Sequence, residues 1–214
     1  MAGISQDAVT VLRLRRGVGV IGIALPFALA IGHFLFADDV VLLGSMSQYY
    51  YSEMRDVFVG GLCAMGVFLI CYRYARPDDI MSTMAGVLAI GVAIFHTTDG
   101  RKLPVSTNDR VIGIVHLAAA AGLLLLLAGF CLFLFPRKGP GPVTQQKKVR
   151  NGIYYVSGVI VVVSLLLAAA GKLFLTTATQ DSLRALFWCE LVAVVAFGVA
   201  WLVKGETIFK DPGT

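Results

Sequence analysis

VHLAAAAGLLLLLAGFCLFLF, residues 115–135, is a continuous run of apolar and small residues in which His116 is the one ionisable side chain apart from a cysteine. A helix needs roughly 20 successive apolar residues to cross a bilayer, and this run has that length. Hydrocarbon offers no water to hydrogen-bond the backbone, so the run predicts a helix that bonds internally. Arg110 precedes the helix, and the break PRKGPGP follows it.

The rest of the chain divides into similar stretches. Its 214 residues are 57% hydrophobic and 14% charged, with a mean hydropathy of +0.81, which leaves too few polar residues to cover a water-soluble globule. We therefore expect an all-α, polytopic membrane protein whose single membrane domain covers residues 1–214. The predicted bundle of six transmembrane helices has spans at about residues 17–36, 56–72, 81–97, 110–135, 153–175 and 183–203.

Flanking basic residues predict the orientation of these spans. If the N-terminus is cytoplasmic, twelve of the eighteen Lys and Arg residues lie on the cytoplasmic side. This bias favours cytoplasmic N- and C-termini. Membrane insertion by itself favours basic residues beside the spans, and this accounts for the net charge of +5. We therefore expect no nucleic-acid partner.

Titratable residues within the spans have a common predicted depth. Such groups are costly in a membrane and usually mark function. With alternating helix directions, six of them fall in the outer half of the membrane: His33, Asp56, His96, His116, Lys172 and Glu190. The cytoplasmic half is nearly free of charge between its flanking basic residues, so we expect one polar pocket that opens outward.

The loop between spans one and two carries the polar run SMSQYYYSEMRD, residues 45–56. Its hydroxyl groups, with the guanidinium of Arg55 and the carboxylate of Asp56, could hold a polar headgroup or a phosphate. The alternative is an aromatic belt at the interface followed by a helix start that Asp56 favours. Both interpretations stay open for this run.

The histidines allow three interpretations. With a carboxylate they could form a zinc site, but no HxxxH or HExxH pair occurs, so we predict no metal ligands and no particular cofactor. His116 and Glu190 could instead hydrogen-bond across helices as structural ties. In the third interpretation they serve as acid and base towards a ligand. The four cysteines lie inside apolar stretches and are typical of packing residues.

Several segments together resemble the Frag/DRAM/Sfk family of six-helix membrane proteins and its bacterial relatives. SMSQYYYSEMRDVFVG resembles the outer-loop serine motif of that family, VHLAAAAGLLLLLAGF its fourth span, and CELVAVVAFGVAWLVKG its sixth, while GVLAIGVAIFHTTDG is a looser match. The resemblance implies a lipid-related role, a bacterial inner membrane, and Ser47, His116 and Glu190 as site residues. The chain departs from the family at residues 48–51, where an acidic residue and a glycine would be expected.

A second resemblance is to the alkaline ceramidase and adiponectin-receptor superfamily of membrane hydrolases. That resemblance implies a Ser, an Asp and three His at a zinc ion. This chain has those residue types but lacks the HxxxH pair and the seventh span.

We accordingly expect an outward pocket that binds or modifies a lipid headgroup, with membrane lipid as the partner. His116 and Glu190 are the candidate catalytic residues. The candidate ligand-binding residues are Ser47, Tyr51, Arg55, Asp56 and His96. The alternatives are a small-solute or proton-coupled transporter, a zinc-dependent membrane hydrolase, and a structural membrane protein. A homo-oligomer also remains open.

Overall fold

The computed structural model describes residues 6–38, 41–73, 76–98, 105–137 and 144–206. Within these ranges the chain is helical and contains no strand. The α-helices are α1 (Gln6–Phe36), α2 (Arg55–Cys71), α3 (Arg76–Ile94), α4 (Thr107–Gly129), α5 (Gln145–Phe174), α6 (Thr177–Leu183) and α7 (Ala185–Lys204). A 3-10 helix, η1, covers Met46–Tyr51, and a π-helical turn, Phe130–Leu134, extends α4.

Five helical segments in the described ranges are long and apolar enough to cross a membrane. They are Val9–Phe36, Arg76–Ile94, Thr107–Leu134, Gln145–Phe174 and Ala185–Lys204. Helices of this length and composition indicate an integral membrane protein. The predicted all-α membrane class is therefore confirmed at this coarse level.

The sixth predicted span is α2, which has 17 residues. At 1.5 Å per residue α2 is about 25 Å long, somewhat shorter than the roughly 30 Å hydrocarbon core of a bilayer. The count of six spans therefore stays a prediction. Both chain termini, residues 1–5 and 207–214, lie outside the described residues, so the predicted cytoplasmic orientation also stays a prediction.

The six long helices form a closed ring of neighbours. Each of α1 to α5 packs beside the next long helix along the chain, and α7 packs back against α1. Neighbouring helices are antiparallel: Ser82 at the start of α3 donates to the carbonyl of Tyr72, just after α2, at 3.0 Å. The ring closes similarly, because Arg16 Nε near the start of α1 donates to Gly205 O after α7 at 3.0 Å.

Polar N-caps place several helix starts outside the apolar stretches. Ser106 and Thr144 accept hydrogen bonds from the backbone N–H groups of Asp109 and Lys147, so α4 and α5 begin before the predicted residues 110 and 153. A helix can continue into the polar interface because the interface does not require apolar side chains. Apolarity alone therefore predicted the spans but misplaced their ends.

Glycines allow close backbone contacts between helices of the ring. A Cβ atom added to Gly86 of α3 would lie 2.5 Å from the backbone oxygen of Gly66 in α2. A Cβ atom on Gly198 of α7 would lie 2.9 Å from the backbone oxygen of Gly19 in α1. Small residues that let backbones approach are a usual basis of helix packing in lipid.

We predict that Gly86→Val lowers the stability of the folded protein by about 1–3 kcal/mol, the usual range for overpacking. The added side chain would meet the α2 backbone, which cannot rotate away. Thermal unfolding in detergent measures the change. Gly60→Val in α2 is the matched control, since a Cβ atom there meets nothing within 4 Å. Equal loss in both variants would contradict the close-packing account.

Candidate functional site

The antiparallel ring brings the six predicted titratable residues to one end of the bundle. α1, α3 and α5 end there, while α2, α4 and α7 begin there. The loop segment with η1 lies at this end and contacts α1, α2 and α7. Although the sequence suggested an outer loop, the structure folds residues 46–51 into a helix with Met46, Ser47 and Tyr49 buried.

Ser47 and His116 form the central polar pair of this end. The hydroxyl oxygen of Ser47 lies 2.9 Å from His116 Nε2, and His116 Nδ1 lies 2.6 Å from the carbonyl oxygen of Phe95. A carbonyl oxygen accepts only, so Nδ1 carries the ring proton and Nε2 is left to accept from the serine hydroxyl. Both side chains are buried, at 8% and 4% exposure. This is the protonation that a serine and its general base require.

Glu190 reaches the same helix through its backbone. Its Oε2 accepts a hydrogen bond from the N–H of Met46 at 2.6 Å. This N–H is among the first of η1 and has no partner within the helix, so the carboxylate satisfies it. His116 and Glu190 therefore bond to successive residues of η1, Ser47 and Met46, rather than to each other as the structural interpretation supposed.

Tyr51 and His96, two predicted ligand-binding residues, contact each other. The Tyr51 hydroxyl lies 2.6 Å from His96 Nδ1 and donates to the carbonyl oxygen of Thr97 at 2.6 Å. His96 lies just beyond α3, which ends at Ile94, and so is outside the helix that the sequence predicted to contain it. This contact ties the last turn of η1 to the end of α3.

Arg55 and Asp56 lie apart from the Ser47–His116 pair. Both side chains are exposed at the start of α2. Arg55 Nη2 donates to the Tyr50 hydroxyl at 3.1 Å, and its guanidinium carbon lies 4.7 Å from the centre of the Tyr50 ring. The guanidinium is thus held over an aromatic face. A headgroup-binding role for these two residues stays a prediction.

A cavity of about 580 Å³ opens beside η1. Of the predicted site residues only Tyr51 lines this cavity; Ser47 and His116 do not. The lining residues are His33, Ala37, Asp38, Val41, Leu43, Gln48, Tyr51, Ser52, Glu53, Asp181 and Arg184. The volume falls within the range of small-molecule sites in proteins.

The different faces of η1 explain this separation. A 3-10 helix has three residues per turn, so Gln48 and Tyr51 share the face towards the cavity, and Ser47 lies on another. Tyr49 lies on the third face, fully buried, with its ring in an edge contact with His33 at 5.5 Å. Burial raises the pKa of Tyr49, so its phenol stays neutral.

The described residues contain no group of three His, Cys, Asp or Glu side chains arranged to hold a metal ion. The three histidines contact different partners: His33 approaches Glu53, His96 approaches Tyr51, and His116 approaches Ser47. The geometry therefore gives the zinc-hydrolase alternative no donor set in these parts of the chain.

Sequence reasoning did not find several residues of this end. The carbonyl of Phe95 orients His116, and a backbone group has no sequence signature. Asp38, Asp181 and Arg184 were not singled out from the sequence, and only the fold brings them to one cavity. His33 did carry a signal, because a histidine within an apolar span is unusual.

Comparisons with known proteins give no relative: no family model, no curated protein and no solved structure matches this chain. The account of the site therefore depends on its own geometry.

We predict that Glu190→Ala destabilises the protein by about 1–3 kcal/mol, because it leaves the buried N–H of Met46 without an acceptor. Limited proteolysis of residues 41–54, with thermal unfolding in detergent, measures the loosening of η1. Glu190→Gln is the matched control, since its amide oxygen still accepts the bond, and we expect a smaller loss. If Glu190→Ala and Glu190→Gln behave alike, the hydrogen bond is not what Glu190 contributes.

Proposed function

We propose that this protein acts on the polar part of a membrane lipid, with Ser47 as nucleophile and His116 as general base. The observation that carries the proposal is the hydrogen-bonded series from Ser47 Oγ to His116 Nε2, and from His116 Nδ1 to Phe95 O, at 2.9 and 2.6 Å. A serine with an adjacent base that a third group orients is the general arrangement of an activated nucleophile.

The chemistry that this pair supports is acyl transfer. Ser47 Oγ attacks the carbonyl carbon of a lipid ester as its proton passes to His116 Nε2. The ester C–O bond then breaks, and the same proton goes to the departing alcohol. Water or another alcohol then attacks the acyl carbonyl carbon as its proton passes to His116 Nε2. The bond from that carbon to Ser47 Oγ breaks, and the proton returns from Nε2 to Ser47 Oγ. The backbone carbonyl of Phe95 holds the imidazole in the required tautomer throughout.

Glu190 takes a different place in this proposal from the general base that the sequence suggested. Its carboxylate accepts from the Met46 N–H, one residue before Ser47. This contact supports a positioning role, in which Glu190 holds η1 and thereby the Ser47 hydroxyl. Glu190 as a base remains a prediction.

A structural role for the same contacts is the second candidate. It is favoured by the observation that each polar pair joins η1 to another element: Ser47 to α4, Met46 to α7 and Tyr51 to the end of α3. The two candidates can be distinguished chemically. A nucleophilic Ser47 reacts with an electrophile, whereas a Ser47 with a purely structural role does not.

The proposal also includes the number of spans, their orientation, the type of membrane and the family. We propose that α2 is the sixth span, that both termini are cytoplasmic, and that the membrane is the bacterial inner membrane. The antiparallel packing of α2 between α1 and α3 supports the sixth span. Membership of the Frag/DRAM/Sfk family likewise stays a proposal, and it rests on the sequence resemblance alone.

We predict that a fluorophosphonate probe labels Ser47 in the detergent-purified protein. Ser47→Ala should reduce labelling to background, and His116→Gln should slow it at least about 100-fold, the lower range for loss of a general base. Mass spectrometry of the labelled peptide locates the adduct. Ser164→Ala, which changes a buried serine of α5, is the control and should label normally. A folded protein that shows no Ser47 labelling would favour the structural candidate.

We further predict that a fluorescent reporter fused after residue 214 is active, and a periplasmic phosphatase fused there inactive, when the protein is expressed in a bacterial inner membrane. The physical reason is the excess of basic residues on the side that carries the C-terminus. The same two reporters inserted after residue 104, in the predicted outer loop, should behave in the opposite way. Equal behaviour at both positions would contradict the proposed topology.

A further inference from the structure

The cavity beside η1 has a charge pattern that the proposed reaction does not use. Three carboxylates, Asp38, Glu53 and Asp181, and one guanidinium, Arg184, lie in its wall. The carboxylates come from the end of α1, the turn before α2, and α6, so three separate parts of the chain supply them. A wall with this excess of negative charge favours an occupant with a positive group and disfavours a purely anionic one.

His33 gives a second observation that points to a ligand. Its side chain is buried, with 6% exposure, and it lines the cavity. Nδ1 makes no hydrogen bond to any described residue. Glu53 Oε2 lies 3.3 Å away, close enough for an ion pair but outside hydrogen-bond geometry. Buried polar atoms are rarely left without a hydrogen bond, and an atom that lacks one calls for an explanation such as a ligand.

The surroundings of the cavity connect it to lipid. Ala37 lines the cavity, and the two residues before it, Leu35 and Phe36, are 70% and 71% exposed. Leu183 precedes the lining residue Arg184 and is 57% exposed. Apolar side chains this exposed suit contact with acyl chains. Val41 and Leu43 add apolar side chains to the cavity lining.

We propose that this cavity binds a zwitterionic headgroup of the phosphoethanolamine type on a membrane phospholipid. The carboxylates of Glu53, Asp38 and Asp181 receive the ammonium group, and the Arg184 guanidinium receives the phosphate. The inference rests on the proposed function, because it names the lipid class that this end of the protein receives. Tyr51 joins the two regions, since it lines the cavity and also bonds His96, next in sequence to Phe95.

Binding of short-chain lipids to the detergent-purified full chain tests the inference by calorimetry. We expect dihexanoyl phosphatidylethanolamine to bind at least tenfold more tightly than dihexanoyl phosphatidylglycerol, which has the phosphate without the ammonium. Equal affinity for these two lipids would overturn the assignment. Free phosphoethanolamine should bind more weakly than the lipid. If the two bind with equal affinity, the assignment of the ligand as a lipid rather than a free phosphoethanolamine is overturned.

Variants assign the binding to the cavity. Glu53→Gln and Asp181→Asn should each remove most of the preference for phosphatidylethanolamine, while Arg184→Asn should weaken both lipids. Arg184 has a left-handed backbone, φ 50°, and Asn tolerates that conformation, so this variant removes charge with little strain. Asp109→Asn, at the same end of the bundle but outside the cavity, is the matched control and should bind normally. Unchanged preference in Glu53→Gln and Asp181→Asn would place the binding elsewhere.

Labelling of Ser47 by the fluorophosphonate probe is read separately on the same preparations. If Ser47 is labelled while the two lipids bind equally, the headgroup assignment fails and the proposed reaction survives. If phosphatidylethanolamine is preferred but Ser47 is not labelled, the cavity assignment survives as a binding site, and the proposed reaction fails.

Discussion

The backbone of η1 is the constraint on which this end of the protein depends. A short helix buried among the ends of membrane helices brings unpaired N–H groups with it, and such groups are costly away from water. The carboxylate of Glu190 satisfies the N–H of Met46 at 2.6 Å, and the Ser45 hydroxyl accepts from the N–H of Gln48 at 3.3 Å. With both ends of its first turn held, η1 presents Ser47 to His116 on one face and Tyr51 to the cavity on another. Removing the carboxylate therefore affects residues that it never touches.

The two ends of the ring differ in a way that bears on the transporter alternative. At the end away from η1, the Trp201 ring is fully buried among aromatic side chains, in edge contact with Tyr72 and Phe135 at 5.2 and 5.5 Å. Arg15 donates to the Tyr72 hydroxyl at 2.8 Å, and Lys204 Nζ donates to Phe135 O at 3.3 Å. The described residues thus fill this end with packed rings and paired cations. Among the described residues, this packing supports the proposed site at the η1 end more than it supports the transporter alternative.

The sequence was sufficient for the membrane class of the protein and for placing its titratable residues towards one end of the bundle, because both follow from apolar length and helix direction. Ser47, His116 and Glu190 could be named because the family resemblance implied all three, and the depth argument separately selected His116 and Glu190. The pairing within this end could not be read from the sequence. Because η1 has three residues per turn, Ser47, Gln48 and Tyr49 face different surroundings. The sequence predicted a loop here, and a loop does not specify which way each side chain faces. The cavity charges were missed for a related reason, since Asp38 and Asp181 are far apart along the chain and only ring closure by α7 brings their elements together.

The two proposals give the cavity and the Ser47–His116 pair different tasks. Contacts that bind a substrate away from the reacting atoms can be used to position those atoms, and orientation alone can supply a large part of a rate enhancement. In this arrangement the cavity would hold the headgroup, and η1 would set its position relative to the Ser47 hydroxyl. This follows because both regions include side chains of η1. The hydrogen bond between Tyr51 and His96 lies between them, one residue from the carbonyl that orients His116. If the cavity binds the headgroup as proposed, its occupancy and the geometry of the Ser47–His116 pair would both depend on the position of η1.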